Sequence, residues 1–336
     1  MVKCQLDVLV RQRTEGAIKA ALCTLPRDLD QMYEAILTRI AASDEDSRLA
    51  RTALIWLTHS RRPLTLKELA EAAVLSADMT DFGPDDKLSD PGDILDILGS
   101  LISYVDGRVQ LSHNSVRDYL RSPAVAKILP TFHIPDAHCG PELASICLRY
   151  LLLPSFGAGS CDTVESMRLR LETFPLLYYL SRHWTSHTRP YLNEDQTVFD
   201  LAKQFFSNPA TPQFVSWIQA LCTAPGKVNA TYRGYPRHPT PLYFASSYDL
   251  VPIVEHLLES GADVNEPGGR HSSMPLSAAC WRKNPDVARL LLRAGADIYA
   301  VDSDGISALA MANFSGDEHL RRVILEEKGA TDVPVR

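Results

Sequence analysis

The chain has 336 residues, 45% of them apolar and 22% charged, with a formal charge of −7. That balance excludes a disordered chain, and the length accommodates two or three folded domains. The acid excess argues against non-specific nucleic-acid binding, which needs net or clustered positive charge.

Seven cysteines occur without a CxxC pair, as expected of reduced intracellular thiols. MVKCQLDVLVRQR turns charged too early for a signal peptide, and ICLRYLLL is too short to cross a bilayer. A soluble intracellular protein is expected, cytoplasmic with the nucleus also open, and without membrane association.

Residues 2–10 read as apolar and helical with no capped element before them, as if the chain begins inside a larger architecture. TLPRDLDQMYEAILTRI then spaces Leu29, Met32, Tyr33, Ile36, Leu37 and Ile40 as one stripe of an amphipathic helix. A polar run, ASDEDS, separates it from RLARTALIWLTHS, a second and largely buried helix that RRP ends. LTLKELAEAAVL follows, with Thr65 as N-cap and Glu68 at capping-box spacing. After an acidic loop over residues 78–93 come a helix ILDILGSLI, a strand SYVDG, an Asp106-Gly107 turn and a strand RVQLS. An Asp-Gly turn between alternating apolar residues signals a hairpin.

Three helices followed by a two-stranded wing predict a winged-helix domain. Such domains often read DNA through a helix placed like LKELAEAA. Here that helix offers Glu68 and Glu71 after Lys67, and carboxylates repel phosphates, so no nucleic-acid partner is expected.

In that order, CQLDVL, TLPRDLDQMYEAILTRI, IWLTHSRRPLTLKELAEA and VQLSHNSVRDYLRS make a more specific likeness. The chain resembles the C-terminal part of fungal NACHT-type signalling ATPases that carry ankyrin repeats, within the STAND class of NLR-like switches. Such proteins place a P-loop ATPase domain first, whereas no GxxxxGK[ST] occurs here. The resemblance implies a role for His113, which matches the histidine of a Met-His-Asp-like motif that contacts bound ADP, with Ser112 and Asn114 flanking it. An imidazole N–H can donate to a phosphate oxygen, but one histidine without the phosphate-cradling loop does not hold a nucleotide. His113 is then a vestigial nucleotide-state contact, a contact to an ATPase domain supplied by another chain, or a junction residue beside a cap made by Ser112 or Asn114. No cofactor is expected.

In the middle of the chain, AVAKIL, ELASICLRYLLLP and FPLLYYLSRHWTSHTR read as helices. The last also resembles the family, which ends its helical linker on a Pro-Leu-Leu, aromatic and His pattern. His183 and His187 lie four apart, yet Trp184 stands where a zincin needs glutamate. His133, His138 and Cys139 lack a second cysteine pair at zinc spacing, so no metal is expected. TVFDLAKQFF and TPQFVSWIQALC form a further helix pair, read as a degenerate or capping unit of the segment that follows.

That segment repeats. TPLYFASSYDLVPIVEHLLESGADVN is echoed by MPLSAACWRKNPDVARLLLRAGADIY and more faintly by SALAMANFSGDEHLRRVILEEKGAT. Pro241 recurs as Pro275 and Gly261 as Gly295, 34 residues on, and Gly329-Ala330 extends the series. The period and the PLxxA and GAD cores are those of ankyrin repeats. Leu242, Ile253, Leu257 and Leu258 are expected to pack on Leu276, Val287, Leu291 and Leu292 of the next unit. The histidine of the Thr-Pro-Leu-His turn is absent, with Tyr243, Ser277 and Ala310 in its place, so the turns lose a hydrogen bond and the third unit is expected to fray.

The sequence predicts a mainly α fold: a helical segment and winged-helix domain over 1–125, a helical linker over 126–225 and about three ankyrin repeats over 226–336. Ankyrin stacks resemble one another in binding partners along hairpin tips and inner helices. By position the partner surface comprises Arg237, His238, Tyr243, Tyr248, Glu266, Arg270, His271, Trp281, Arg282, Tyr299 and Asp302. Trp281 beside Arg282 is the foremost pair, because Trp and Arg anchor interfaces; the alternative is a Trp281 that only packs on its neighbour.

No nucleophile–base pair, metal spacing or phosphate loop supports catalysis. The expected function is a non-enzymatic protein-binding adaptor, a truncated relative of NACHT-type ATPases that docks on one in trans. The alternatives are a C-terminal fragment of a complete ATPase and a transcription-associated regulator.

Overall fold

The computed structural model describes residue 14, residues 28–223, residue 236 and residues 238–331, the last four of these by backbone alone. The expected helix over residues 2–10, the CQLDVL motif and Arg237 lie outside the described residues. The protein is mainly α-helical with one small three-stranded sheet. It divides into two compact units: residues 1–79, 83–146 and 174–179, and residues 80–82, 147–173 and 180–336.

The first unit is built around α2, Asp44–His59, which follows α1, Leu29–Ile40. Asp28 caps α1, and the apolar stripe buries Met32, Tyr33, Leu37 and Ile40. ASDEDS does not separate the two helices as expected. Ser43 accepts from the Asp46 N–H as N-cap, and Asp44, Glu45 and Asp46 form the first turn of α2, where carboxylates favour the helix dipole. Leu49, Ala53, Leu54 and Trp56 bury completely or nearly so.

α3, Leu66–Val74, carries the expected capping box between Thr65 and Glu68. After α4, Asp93–Leu98, the chain forms β2, Ile102–Val105, and β3, Arg108–Leu111. Asp106 and Gly107 both turn at positive φ, as a tight hairpin with native twist requires. A third strand, β1 at Leu64–Thr65, pairs antiparallel with β3, giving the order β1-β3-β2 rather than a two-stranded wing. Two residues are too few to show an alternating pattern. α5, Asn114–Leu120, and α6, Pro123–Ile128, complete the wing side.

Glu68 and Glu71 both turn inward, so the charge argument against DNA reading gives way to one of burial. Arg62 grips Glu68 through two bonds of 2.6 and 2.8 Å, and the Thr65 N–H donates to the same carboxylate at 2.8 Å. Glu71 accepts from the Leu176 N–H at 2.7 Å and lies 3.5 Å from the Lys87 ammonium. α3 is buried from Glu68 to Ala73.

Two longer helices run across the division of units: α7, Asp136–Leu151, and α9, Pro175–Thr188. The FPLLYYL stretch belongs to the first unit through Tyr179, whose ring meets Trp56 edge-on at 6.1 Å and whose hydroxyl accepts from the Arg61 N–H at 3.0 Å.

The second unit continues through α8, Val164–Thr173, α10, Gln196–Phe205, and α11, Pro212–Cys222. Then come three helix pairs: α12, Pro241–Ser247, with α13, Val251–Glu259; α14, Pro275–Arg282, with α15, Pro285–Arg293; and α16, Ala308–Ser315, with α17, Glu318–Thr331. The inner helices α12, α14 and α16 pack side by side, and the outer helices follow in the same order. Ile253, Leu257, Leu276, Val287 and Leu291 are buried as the repeat pattern requires. Gly261 and Gly295 end the outer helices at φ +83° and +91°, while Gly329 of the third copy is still helical.

An aromatic cluster closes the first face of this stack. Trp184, Phe205, Phe206, Phe214 and Trp217 lie in mutual contact, with Trp184 5.7 Å from both Phe205 and Trp217. Phe244 of α12 joins it at 5.6 Å from Trp217 and 5.9 Å from Phe214. Edge-to-face ring pairs of this kind are stabilised beyond the area they bury.

Asn284 supplies a bond between repeats where the turn histidine is absent. Its buried amide donates to the Ser246 carbonyl at 2.8 Å. In the hairpins Asn265 accepts from the Asp297 N–H at 2.9 Å, and Ser303 N–H donates to the His271 carbonyl at 2.7 Å. Tyr243, in the histidine's place, lays its ring over Gly269, and a Cβ on Gly268 would stand 2.7 Å from the Thr240 nitrogen. Each inner helix closes on a left-handed residue: Asp249, Lys283 and Gly316. Lysine pays a steric penalty there that glycine avoids.

Gly268→Ala is expected to lower stability by about 1–3 kcal/mol through overpacking, and Lys283→Gly to raise it by about 1 kcal/mol. Thermal unfolding followed by circular dichroism checks both, and an unchanged midpoint for Gly268→Ala would refute the close approach. Arg62→Ala, which strands the Glu68 carboxylate, is expected to cost about 3 kcal/mol in urea denaturation. A loss below about 0.5 kcal/mol would show that the pair is solvated like an ordinary surface bridge.

Candidate partner-binding surface

His113 lies at the β3-to-α5 junction and is exposed. The cap of α5 is neither Ser112 nor Asn114 but the histidine itself. Its Nδ1 accepts from the Ser115 N–H at 3.1 Å and lies 2.8 Å from the Ser115 hydroxyl. That hydroxyl in turn lies 2.9 Å from the Tyr33 hydroxyl of α1. With Nδ1 accepting, a neutral ring carries its proton on Nε2. The ring therefore ties helix start, strand end and α1 together, a structural task that requires no nucleotide. Sequence spacing alone favours Ser or Asn as caps, and the histidine's part emerges only from its rotamer.

Among the described residues no group of three or more His, Cys, Asp or Glu side chains is placed to hold a metal ion. His187 is buried in α9, and His183 beside it is partly so. Cys139 and Cys147 line the inner side of α7; burial pushes the Cys139 thiol up to about 11 and the Cys147 thiol well above the usual range. Cys280 is pushed up to about 12 for the same reason. Thiols held so firmly protonated are poor nucleophiles and poor metal ligands.

The eleven residues expected to meet a partner fall into distinct surroundings, Arg237 apart, which lies outside the described residues. His238, Glu266, Arg270, His271, Trp281, Arg282 and Tyr299 are exposed. Tyr243 and Tyr248 are half-buried, and Trp217 lies 5.8 Å from the Tyr248 ring. Asp302 is only 7% exposed and organises its own loop, accepting from the Asp304 and Ile306 N–H groups at 3.0 and 2.9 Å. The Ser273 hydroxyl reaches its other oxygen at 3.4 Å. His271 pairs with Asp304 at 3.2 Å.

Trp281 does not lie down on a neighbour: 63% of it is exposed, whereas Trp56, Trp184 and Trp217 are buried. The Arg282 guanidinium beside it acts on two phenols of the preceding repeat. Burial pushes Tyr248 up to about 12 against the opposing charges of Arg282 and Arg182. Tyr243 is likewise raised by burial, against Arg282 and Arg270. Cys222 is raised by burial, with Arg270 and Arg182 pulling the other way. Arg182 itself caps the end of α11, donating to the Leu221 and Thr223 carbonyls. Three guanidiniums thus converge near Tyr243, Tyr248 and Cys222. Sequence reasoning missed Arg182, which comes from the linker, and Phe314, which stands 78% exposed on α16.

This geometry has counterparts in known proteins. Residues 37–127 match the model of the GPI inositol-deacylase winged helix domain, and residues 212–302 match a model of three ankyrin repeats. The ankyrin match begins at α11, inside the segment read as a capping unit. Azaphilone pigments biosynthesis cluster protein L of Monascus ruber is 29% identical over 312 residues, 85% of this chain and 63% of that protein. Vegetative incompatibility protein HET-E-1 of Podospora anserina is 34% identical over 113 residues, 33% of this chain and 8% of that protein. Human ankyrin repeat and SOCS box protein 11 is 40% identical over 77 residues, 23% of each chain. The chain therefore spans less than two thirds of the length of these curated relatives. It carries a winged-helix domain and an ankyrin-repeat region, modules of non-catalytic character, and is loosely related to ankyrin/SOCS-box proteins and to the STAND-type HET-E-1.

Proposed function

We propose that the chain is a non-enzymatic adaptor of intracellular signalling, a truncated relative of NACHT-type ATPases that docks on a protein partner through its ankyrin repeats. The observation that carries this reading is Trp281: the one exposed tryptophan of four, on an inner helix, with an exposed arginine beside it. A large aromatic ring left in water costs roughly 1.5–3 kcal/mol relative to burial, and Trp and Arg are the side chains that most often dominate interfaces. A NACHT-type ATPase in trans is the partner that the winged-helix and repeat order favours, and the HET-E-1 likeness supports that choice.

The second reading is a C-terminal piece of a complete ATPase. The observation in its favour is that the chain spans 63% of the Monascus ruber relative and 8% of HET-E-1. Under that reading His113 would face the nucleotide domain of its own chain. The Monascus ruber protein's name places it in a pigment biosynthesis cluster; a binding protein beside biosynthetic enzymes is compatible with the first reading.

Purified full chain serves as bait in native lysate, with and without ATP or ADP, and a Trp281→Ala/Arg282→Ala double variant serves as control. The expected result is a partner that the parent retains and the double variant loses by at least tenfold. Nucleotide-dependent retention of a NACHT-type ATPase would identify the partner class. A chain that aggregates in isolation and captures nothing sensitive to the variant would instead support the fragment reading.

A further inference from the structure

Ser247, Trp281 and Phe314 occupy one position in the three successive repeats. Each stands two residues before the left-handed residue that closes its inner helix, at Asp249, Lys283 and Gly316. Because α12, α14 and α16 pack side by side, this register sets Trp281 and Phe314 next to each other, about 10 Å apart at ordinary helix spacing. Both rings are exposed, at 63% and 78%. An exposed aromatic pair in register on two adjacent repeats is a patch, and patches mark interaction sites more reliably than single apolar residues do.

The charges that directly follow Trp281 are positive, whereas Asp317 and Glu318 follow Phe314. Arg282 and Lys283 follow Trp281 directly and are exposed. Arg270 of the neighbouring hairpin acts on the same Tyr243 phenol as Arg282. Among the described residues neither Arg270 nor Arg282 has a carboxylate within ion-pair distance, although the chain as a whole is acidic. Of the carboxylates around them, Asp286 is held by Arg289, Asp302 by its own loop and Asp304 by His271. Planar guanidiniums accept carboxylates in two-bond geometry.

We propose that Trp281 and Phe314, with the guanidiniums of Arg270 and Arg282, neither of which has a carboxylate partner among the described residues, form one docking surface for an acidic segment of a partner protein. An apolar side chain of that segment covers the two rings, and its carboxylates reach the two arginines. This deepens, and rests on, the reading of the chain as a protein-binding module. A nucleic acid is the less favoured occupant, because a phosphate backbone needs a run of cations.

Trp281 is its own reporter, since the other three tryptophans are buried. In the full chain, iodide is expected to quench tryptophan emission at least threefold more effectively than caesium, and Arg270→Ala/Arg282→Ala is expected to erase that difference. A dodecapeptide display library is then selected on the immobilised full chain, and enriched peptides are titrated by anisotropy. The expected peptides place Asp or Glu beside Leu, Phe or Trp, shield Trp281 from acrylamide, and bind at least tenfold more weakly to Trp281→Ala/Phe314→Ala and to Arg270→Ala/Arg282→Ala. Arg270→Glu/Arg282→Glu should reverse the preference to peptides with Lys in place of the acids. All four side chains are exposed, so the variants should melt like the parent, which circular dichroism verifies. Neutral or basic peptides that still need Trp281 would leave the protein-binding reading standing and remove the acidic occupant. Peptides indifferent to every variant would place binding elsewhere, and a library yielding nothing that shields Trp281 would sink the proposal. Shielding by an oligouridylate alone would overturn both readings.

Discussion

The ankyrin stack depends on the aromatic cluster that closes its first face. A repeat buries its apolar side only against a neighbour, so the first repeat of any stack needs a substitute for the one that is missing. Here Phe214 and Trp217 of α11 are that substitute, meeting Phe244 of α12 at 5.9 and 5.6 Å. Behind them Trp184, Phe205 and Phe206 fix α11 in place. Gln219 adds a two-way bond to the Cys161 backbone at 2.7 and 2.8 Å, satisfying polar groups that burial would otherwise strand. Arg182 then holds the last carbonyls of α11, and its charge acts on the Tyr248 phenol of the first repeat.

The winged-helix unit solves a different problem with buried charge. Carboxylates inside a protein are tolerated only when paired and hydrogen-bonded. Glu68 meets that condition with Arg62 and the Thr65 N–H, and Glu71 meets it with the Leu176 N–H and Lys87. Arg62 also lies 5.0 Å from the Tyr179 ring centroid. The helix that a DNA-binding relative would expose is thereby locked against residues 174–179 of its own unit.

How much of this was legible in the sequence follows from the range of each interaction. Helix stripes, the Asp106-Gly107 hairpin and the 34-residue period are local patterns, and the structure contains the elements they announce. The start of α2 was missed because acidic residues that look like a linker also suit a first turn. β1 is too short for a pattern, and its partner β3 lies more than forty residues away. The inward turn of Glu71 is set by Leu176, about a hundred residues on, and nothing beside Glu71 hints at it. His113 is intermediate: its position at a junction was readable, but its ring acting as the cap depends on a rotamer held by Ser115 and Tyr33. At the partner surface, exposure of Trp281 was an even choice from sequence, and Asp302 looked like a tip residue until its loop bonds were seen.

The departures from a regular repeat are not scattered. The histidine of each turn is replaced and its turn-bonding role is lost with it, while the Asn284 amide separately ties α15's start to the Ser246 carbonyl. Freed of that role, position 243 holds a tyrosine whose ring needs the bare backbone of Gly269 beneath it. Position 283 holds a left-handed lysine where glycine would be easier, which adds a positive charge next to Trp281 and Arg282. At positions 243 and 283 an aromatic and a cationic group stand on the inner-helix side, whereas Ser277 and Ala310 leave neither. In an array whose stability is a sum of neighbour terms, the aromatic cap and the Asn284 bond act against such losses.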